Sequence, residues 1–379
     1  MRLGDWLRVD LRARFQGDVR RSEVPTGEPE SRSVDIARRR VGIDGRFRGL
    51  LDFQVERELH DDNPWRDVYV DYRQFEGVQV RVGKFKLPFS LDENASATDL
   101  DFVYRSRVAS VLAPGRDRGV MVHGRLLSRT IEYEVGVFDR DGDNARSKSG
   151  KRVFGGRTTV GRVRARPFRS SKSAIADVEV GAAFTSSDVP EGFPDLRGRT
   201  ALDASFFPSN LWVSGPRRRA GLEARWRPGP FSVQSEYIRV TDERHGQSVE
   251  DTDLSAFLTE GWYASATWAV TGESKSRGLD VPRRPVQRGG FGAIELAARL
   301  EKLSFGSEGR AGLPSTSPRA DFVLGNSDRA VTIGVNWYLN RWVKIQGNVI
   351  REQIGDPTRG PLPDRASFWS RVVRFQLTI

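Results

Sequence analysis

The stretch that decides the fold is Arg81–Val122, RVGKFKLPFSLDENASATDLDFVYRSRVASVLAPGRDRGVMV. Alternating strand patterns lead into it and out of it, but about 30 residues between them show no alternation, which is unusual inside a compact domain. Apolar residues such as Phe89 and Leu112 indicate that this segment packs against other parts of the chain. Its basic residues are Lys84, Lys86, Arg105, Arg107, Arg116 and Arg118. We therefore predict a loop that folds into the mouth or lumen of a β-barrel and narrows it with positive charge.

Strict period-two alternation marks the segments on either side. From Leu7 to Phe15 the odd positions are apolar and the even positions are charged, so one face is apolar and the other polar. The apolar face of one such strand could look at a soluble core or at lipid. The pattern recurs in 16 segments, and short and long connections alternate, as in outer-membrane barrels. We predict an all-β fold, a 16-stranded antiparallel transmembrane β-barrel that spans 1–379 as one unit, with an inward-folded third loop at about 87–117.

Two details of the connections are also predicted. The glycines of GIDGRFRG indicate a tight turn at Gly45–Gly49. Gly272–Gly290 is long where a short turn is due, and we expect a periplasmic extension there.

Composition excludes several classes of protein. No apolar run approaches the roughly 18–20 residues that a membrane helix needs, whereas a membrane strand needs an apolar residue only at every second position. Cysteine is absent and the three histidines are scattered, so we expect no disulfide, no metal site and no cofactor. Net charge is +11, and only 8 of the 61 basic residues are lysines. Guanidinium groups bind phosphate-like anions bidentately, although codon bias explains such a ratio equally well.

The central stretch resembles a known family. VGKFKLPFSLDENASATDLDFVYRSR and LAPGRDRGVMVHG are similar to the hallmark region of the phosphate-selective porin family, O and P type. Weaker similarities are RRRVGIDG, VYVDYR, EYEVGVFDRDG, GGFGAIELAARL and TIGVNWYLN. The resemblance implies an outer-membrane location, surrounding outer-membrane lipid, a sixteen-stranded barrel, a homotrimer, and phosphate or another oxyanion as the transported species. We expect the trimer contact on a face that includes Arg39, which is phased outward beside Val41.

The central stretch supplies six of the candidate site residues, and strand phase supplies the wall residues. The predicted anion-binding residues at the narrowest point are Arg38, Arg40, Lys84, Lys86, Arg105, Arg107, Arg116 and Arg118. The predicted lumen-wall residues are Arg8, Arg12, Arg14, Arg81, Arg162, Arg164, Arg166, Arg219 and Arg225. Arg105 and Arg116 occupy family-motif positions, in YRSR and PGRD, and replacing either by alanine should lower anion selectivity and weaken phosphate block. A loop-tip substitution such as Arg32→Ala should change little.

Several alternatives to these interpretations exist. Arginines and acids on one face also pair across strands and then merely line a wall. Acids in the central stretch, Asp99, Asp101 and Asp117, would offset its field. A general or sugar-type porin stays open as an alternative function.

Other classes are disfavoured. An enzyme would need a Ser/His pair, and no serine motif accompanies His123. A nucleic-acid binder would interleave aromatic and basic residues on one face, whereas here they segregate. The sequence opens without a signal peptide, so we expect a mature form or a start site further upstream.

Overall fold

Sixteen antiparallel strands close into one barrel in the computed structural model, which describes residues 2–4, 6–24, 32–60, 64–143, 156–192, 196–208, 210–275 and 281–379. The barrel strands are β1 Leu7–Ser22, β2 Arg32–Phe47, β3 Leu51–Glu58, β4 Trp65–Tyr72, β5 Gln79–Lys86, β6 Arg116–Leu126, β7 Ile131–Phe138, β8 Thr158–Ala165, β9 Glu179–Gly192, β10 Val213–Trp226, β11 Phe231–Arg244, β12 Leu254–Ala269, β13 Ala293–Ser307, β14 Asn326–Tyr338, β15 Val343–Ile354 and β16 Ser367–Thr378. Each strand pairs with the next, and β16 pairs with β1 from Ser370↔Ser22 to Thr378↔Arg14. The predicted strand number and closed barrel are confirmed.

The barrel is apolar outside and polar inside. On β14 the side chains of Val331, Ile333, Val335 and Trp337 are exposed, while Thr332 and Asn336, which alternate with them, are buried. The same alternation holds on the other strands, because successive side chains point to opposite faces. Two packed sheets with inward apolar faces are therefore excluded.

Connections differ between the two ends of the barrel. One end carries short turns at 48–50, 73–78, 127–130, 227–230 and 339–342, with longer connections at 166–178 and 270–292. All eight remaining connections lie at the other end, the loop end, and the longest covers 87–115. The predicted extension at Gly272–Gly290 includes the 3₁₀ turn Val286–Arg288, and its residues 276–280 lie outside the described residues. Among the described residues no helix is long and apolar enough to cross a membrane.

Two predicted loop positions lie within strand β2 instead. Gly45 pairs with Val9 and Phe53, and the turn comes later, where Gly49 has a φ of 70°. A Cβ at Gly45 would meet the Arg8 carbonyl oxygen at 2.3 Å, so this glycine permits close strand packing and forms no turn. Arg32, predicted at a loop tip, is the first residue of β2.

Residues 87–115, here called the constriction loop, fold into the barrel as predicted. The loop contains two short helices, α1 Leu91–Asn94 and α2 Arg107–Leu112. The hydroxyl of Ser90 accepts from the N–H of Glu93, and that of Ser106 accepts from Ala109, so each helix has a side-chain N-cap. The loop is two residues shorter than predicted because β6 already begins at Arg116.

Besides two small clusters, one of them around Phe85 and Phe138 on β5–β8, the described residues form one large hydrophobic core on one side of the lumen. It joins Phe89, Val108 and Leu112 of the constriction loop to the inner face of β11–β13, where Tyr263 and Leu303 are buried. A second inward loop completes it through the short strand pair Gly198–Arg199 and Ser205–Phe207. The ring of Phe207 stacks on Phe305, and the ring of Phe206 meets Phe305 edge to face. The opposite half of the lumen, beside β1–β6, keeps a polar cavity.

Candidate functional site: a basic cavity in the lumen

A cavity of about 230 Å³ separates the constriction loop from the inner face of β1–β6. Eight basic and two acidic side chains line it. The basic ones are Arg12, Arg14, Arg38, Arg40, Arg81, Lys86, Arg105 and Arg116, and the acids are Glu56 and Asp67. Because β1 and β2 run side by side, Arg14↔Arg40 and Gln16↔Arg38 lie directly opposite each other in register. We call this space the basic cavity.

Arg38 and Arg14 carry the least compensated charges in the basic cavity. Nη1 of Arg38 donates to the Gln16 side-chain oxygen at 2.5 Å, and Arg38 forms no ion pair among the described residues. The strongest of the neighbouring charges that act on Arg38 are those of other cations, Arg374 and Arg40 first. Arg14 lies 3.9 Å from a Glu56 oxygen, and its buried Nε has no hydrogen-bond partner in the described structure. These guanidinium groups therefore leave positive charge that the barrel does not neutralise.

Arg40 and Arg116 are more fully compensated. Arg40 donates to Glu58 at 2.7 Å and to Glu56 at 3.2 Å. Arg116 donates to both carboxylate oxygens of Asp67, at 3.1 and 2.9 Å. The ion pairs fix the orientation of these guanidinium groups, but they also reduce the net positive charge that the groups contribute to the cavity.

Arg105 and Lys86 are oriented mainly by backbone oxygens. Arg105 donates to the carbonyl oxygens of Asp92 at 2.9 Å and Ala95 at 2.6 Å, and Lys86 donates to the Ala95 oxygen at 3.0 Å. Both lie near the Glu93 carboxylate: Nε of Arg105 is 3.4 Å from one oxygen, and Nζ of Lys86 is 3.7 Å from the other. Burial raises the pKa of Glu93, but Arg105 and Lys86 outweigh burial and hold that pKa below its ordinary value. Glu93 is therefore ionised and offsets one of the two cations.

Arg81 covers the aromatic part of the lining. Its guanidinium lies 4.5 Å from the ring centre of Tyr69 and 5.5 Å from that of Phe85. It also donates to Asp71 at 2.7 Å, and Asp71 bonds His123 at 2.9 Å. Both rings therefore already form a cation–π contact with a cation of the protein itself.

Lys84 and Arg118, predicted at the narrowest point, lie elsewhere. They pair in register across β5 and β6, in phase with the exposed Val82 and Val120. Both strands continue past these positions, so alternation directs them to the outer face. Lys86 lies two residues after Lys84 and would face the same side of β5. It is the last residue of the strand, however, and turns inward with the constriction loop.

Arg107, also predicted to bind anions, anchors helix α2 instead. It contacts Asp328, donates to Glu352 at 3.0 Å, and lies 3.5 Å from Glu301. Burial lowers the pKa of Arg107, but the three carboxylates outweigh burial and raise it above its ordinary value. Nε and Nη2 of Arg107 have no hydrogen-bond partner in the described structure, but three carboxylates surround the guanidinium, so it adds no net positive charge to the lumen.

The polar wall of β13–β16 holds the rest of the constriction loop, which sequence reasoning missed. Arg374 donates to the Val103 oxygen at 2.5 Å, and Lys344 donates to the Thr98 oxygen at 2.7 Å. Lys275, from the long turn at 270–292, bonds Asp101 at 2.6 Å. Strand phase indicated that Lys344 and Arg374 face inward, but nothing in the sequence identifies their loop partners.

Most of the predicted wall arginines form ion pairs with neighbouring acids. Arg162 bonds Glu223, Arg164 bonds Glu132, Arg166 and Arg225 bond Glu179, Arg219 bonds Asp141, and Arg8 bonds Asp10. These arginines therefore pair with acids of neighbouring strands, of their own strand or of the loop after β7. Arg12, Arg14 and Arg81 differ because they line the basic cavity. The described residues hold no cluster of three or more His, Asp or Glu suited to a metal ion.

A closed sixteen-stranded barrel that is apolar outside, with a loop folded into a charged lumen, has the architecture of bacterial outer-membrane porins. The family model "Phosphate-selective porin O and P" matches residues 9–379, and the chain belongs to this family. Porins are channels, not enzymes, and lie in the outer membrane.

Individual relatives are distant. Porin O of Pseudomonas aeruginosa is 22% identical over 336 residues, which cover 81% of this chain and 72% of that protein. The trimer form of Vibrio cholerae OmpT superimposes with a TM-score of 0.62 at 11% identity, covering 99% of this chain and 100% of that one. The Acinetobacter baumannii channel DcaP superimposes with a TM-score of 0.58 at 10% identity, covering 100% of this chain and 98% of that one. At these identities the two structures support the fold alone.

Proposed function

We propose that the chain forms an anion-selective channel for phosphate or a related oxyanion, with the basic cavity as its filter. The observation that carries this proposal is the excess of eight basic over two acidic side chains around a cavity of about 230 Å³. Arg38 and Arg14 matter most, because their charge is least compensated by the protein.

The selection mechanism follows from the surroundings of these charges. A narrow passage with low-dielectric walls focuses the field of its cations and raises the local concentration of anions. Guanidinium groups replace water around a tetrahedral oxyanion through paired N–H donors. The anion must also leave, so the channel should saturate at high phosphate while binding stays weak.

A sugar-type diffusion porin is the alternative function. Such a channel would present aromatic rings for stacking against sugars, and Tyr69 and Phe85 do line the cavity. Arg81 covers both rings, however, which leaves little free aromatic face and favours anions.

Assembly forms part of the same proposal. We infer a homotrimer that is surrounded elsewhere by outer-membrane lipid, with the contact on a face that includes Arg39 of β2. Arg39 faces outward there, opposite Phe15, and its buried Nε has no hydrogen-bond partner among the described residues. A neighbouring subunit could supply that partner.

Planar-bilayer recording tests the filter. Wild-type pores should show anion-selective reversal potentials in a salt gradient, and phosphate should block chloride current. Arg38→Gln and Arg105→Gln should each reduce selectivity and raise the half-blocking phosphate concentration by about fivefold to tenfold, the loss of one charge-assisted contact. Arg116→Ala should have a smaller effect, because Asp67 already compensates Arg116.

The matched control is Arg225→Gln. It removes one charge from the lumen wall, but at a residue that lies outside the basic cavity and bonds Glu179, which Arg166 also bonds. Its selectivity and phosphate block should remain near wild type. A wild-type preference for cations, or equal effects of Arg38→Gln and Arg225→Gln, would refute the basic cavity as the filter.

A further inference from the structure

A line of basic residues runs around part of the outer surface, toward the loop end of the barrel. On five consecutive strands, β13 to β16 and then β1, the first outward residue beyond the apolar band is basic. These residues, here called the basic arc, are Lys302, Arg329, Arg351, Arg371 and Arg21.

The position of the arc relative to the membrane follows from strand length. On β14 the outward residues from Val331 to Trp337 are all exposed and apolar. At roughly 3.3 Å per residue they cover about 20 Å along the strand, and a strand tilt of about 40° reduces this to about 15 Å of height. Arg329 comes next on the same face, so it is the first outward position on that side that suits the polar head-group layer. Because the long loops leave this end, the head groups there are those of the outer leaflet.

The arc brings like charges together without counter-charges. Lys302 pairs in register with Arg329, and Arg371 pairs with Arg21. Like charges directly opposite on neighbouring strands are destabilising. Among the described residues none of the five forms an ion pair.

Outward arginines on β10 and β11 differ from the arc. Arg218 bonds Glu243 at 3.1 Å, and Arg239 bonds Glu308 at 2.9 Å. The protein therefore supplies acids to outward arginines on those strands and leaves the arc without them.

We propose that the basic arc binds the phosphate groups of a phosphorylated glycolipid in the outer leaflet. Neighbouring strands lie about 4.8 Å apart, so the arc spans roughly 20 Å. One free phosphate cannot contact all of it, whereas lipid heads that carry several phosphates can. A second copy of the chain fits less well, because the outward acids Glu243 of β11, Glu260 of β12 and Glu308, just after β13, already bond Arg218, Tyr237 and Arg239. The proposal does not depend on which ions the pore passes.

Native mass spectrometry of the purified pore with added lipid A, which carries two phosphates, provides the test. Wild type should retain lipid A better than a neutral glycolipid of similar chain length, and millimolar inorganic phosphate should not displace it fully. Arg329→Gln/Arg351→Gln should weaken lipid A binding about tenfold or more, because two surface cations are lost. The matched control is Arg218→Gln/Arg239→Gln, which removes two ion-paired cations and should change binding little.

Each other outcome would overturn the proposal. Equal retention of lipid A and the neutral glycolipid would mean that the phosphates are not recognised. Equal losses in the two double variants would mean non-specific attraction. A changed oligomeric mass in Arg329→Gln/Arg351→Gln, with lipid binding intact, would assign the arc to a subunit contact. Unchanged single-channel conductance verifies that each variant barrel is folded, since all four residues lie outside the lumen.

Discussion

Neighbouring acids decide how much each arginine of the basic cavity contributes to its field. Arg116 and Arg38 line the same space, but Asp67 holds Arg116 with two hydrogen bonds while Arg38 bonds only the neutral Gln16. The number of arginines alone therefore overstates the available charge. Acidic partners can be altered as a means of tuning selectivity.

Asp67→Asn should strengthen anion binding in the cavity. The substitution removes a negative charge and leaves Arg116 with a neutral partner. At an effective dielectric constant of about 40, one charge roughly 7 Å from a bound anion is worth about 1 kcal/mol, or about fivefold in the half-blocking phosphate concentration. Phosphate titration of single-channel current measures this shift. Unchanged or weaker block would mean that Asp67 lies outside the ion path.

The sequence predicted which side of a strand a residue occupies better than it predicted that residue's partner. Period-two alternation placed Arg14, Arg38 and Arg40 inside correctly. The same rule, applied to Lys84 and Arg118, places them outside beside Val82 and Val120. Nearness to the constriction loop in the sequence does not turn a strand residue inward. Partners such as Asp67 for Arg116 are 49 residues away in the chain, and no local pattern encodes such a pair.

The constriction loop is the element whose placement depends most on single ion pairs. Its length and missing alternation predicted the inward fold. Its anchors were unpredictable, because a guanidinium that binds an anion and one that binds three carboxylates look alike in sequence. Arg107 shows the consequence, since the residue predicted to meet phosphate instead fixes helix α2.

Arg107→Gln should destabilise the barrel and loosen the constriction loop. The substitution leaves Glu301, Asp328 and Glu352 close together without their cation, and breaking a buried pair from one side costs about 3–5 kcal/mol. Thermal unfolding in detergent should show the loss, and single-channel current should become noisier. Arg118→Gln, with the same charge change on the outer face, is the control. Equal unfolding temperatures for the two variants would contradict the anchoring role.

A half-buried carboxylate, Asp141, holds the start of the loop after β7, and its titration can be followed. Asp141 accepts from Arg217 and Arg219 at 2.7 Å each. Burial raises the pKa of Asp141, but the two arginines outweigh burial and hold it well below its ordinary value. For a depressed carboxyl pKa, the stabilisation is complete above the unfolded pKa of about 4 and is lost as pH falls below it.

Asp141→Asn should therefore cost about 3 kcal/mol at neutral pH, where the ion pairs are intact. The difference between wild type and variant should stay constant from about pH 7 to pH 5 and shrink below about pH 4. Thermal unfolding over this pH range measures it. A difference that grows as pH falls would show that Asp141 is protonated in the folded barrel.

The whole molecule raises the question of how many barrels assemble together. We expect a trimeric mass for wild type in mild detergent, by light scattering and by crosslinking. Arg39→Glu should weaken that trimer, because it reverses a charge on the proposed contact face, whereas Arg239→Gln on β11 should not. A monomeric wild type without crosslinked trimers would refute this assembly.

Contacts between the constriction loop and the strands have a consequence for the order of events during biogenesis. The loop belongs to the first third of the chain, yet its carbonyl oxygens are held by Lys344 and Arg374, near the very end. Neither partner is in place until β15 and β16 exist and the barrel has closed. A half-built barrel therefore lacks the contacts that hold the loop across the lumen, and the narrow passage is completed last. A chain that stalls before its final strands would form an unselective opening. The proposed anion selectivity therefore requires a completely assembled barrel.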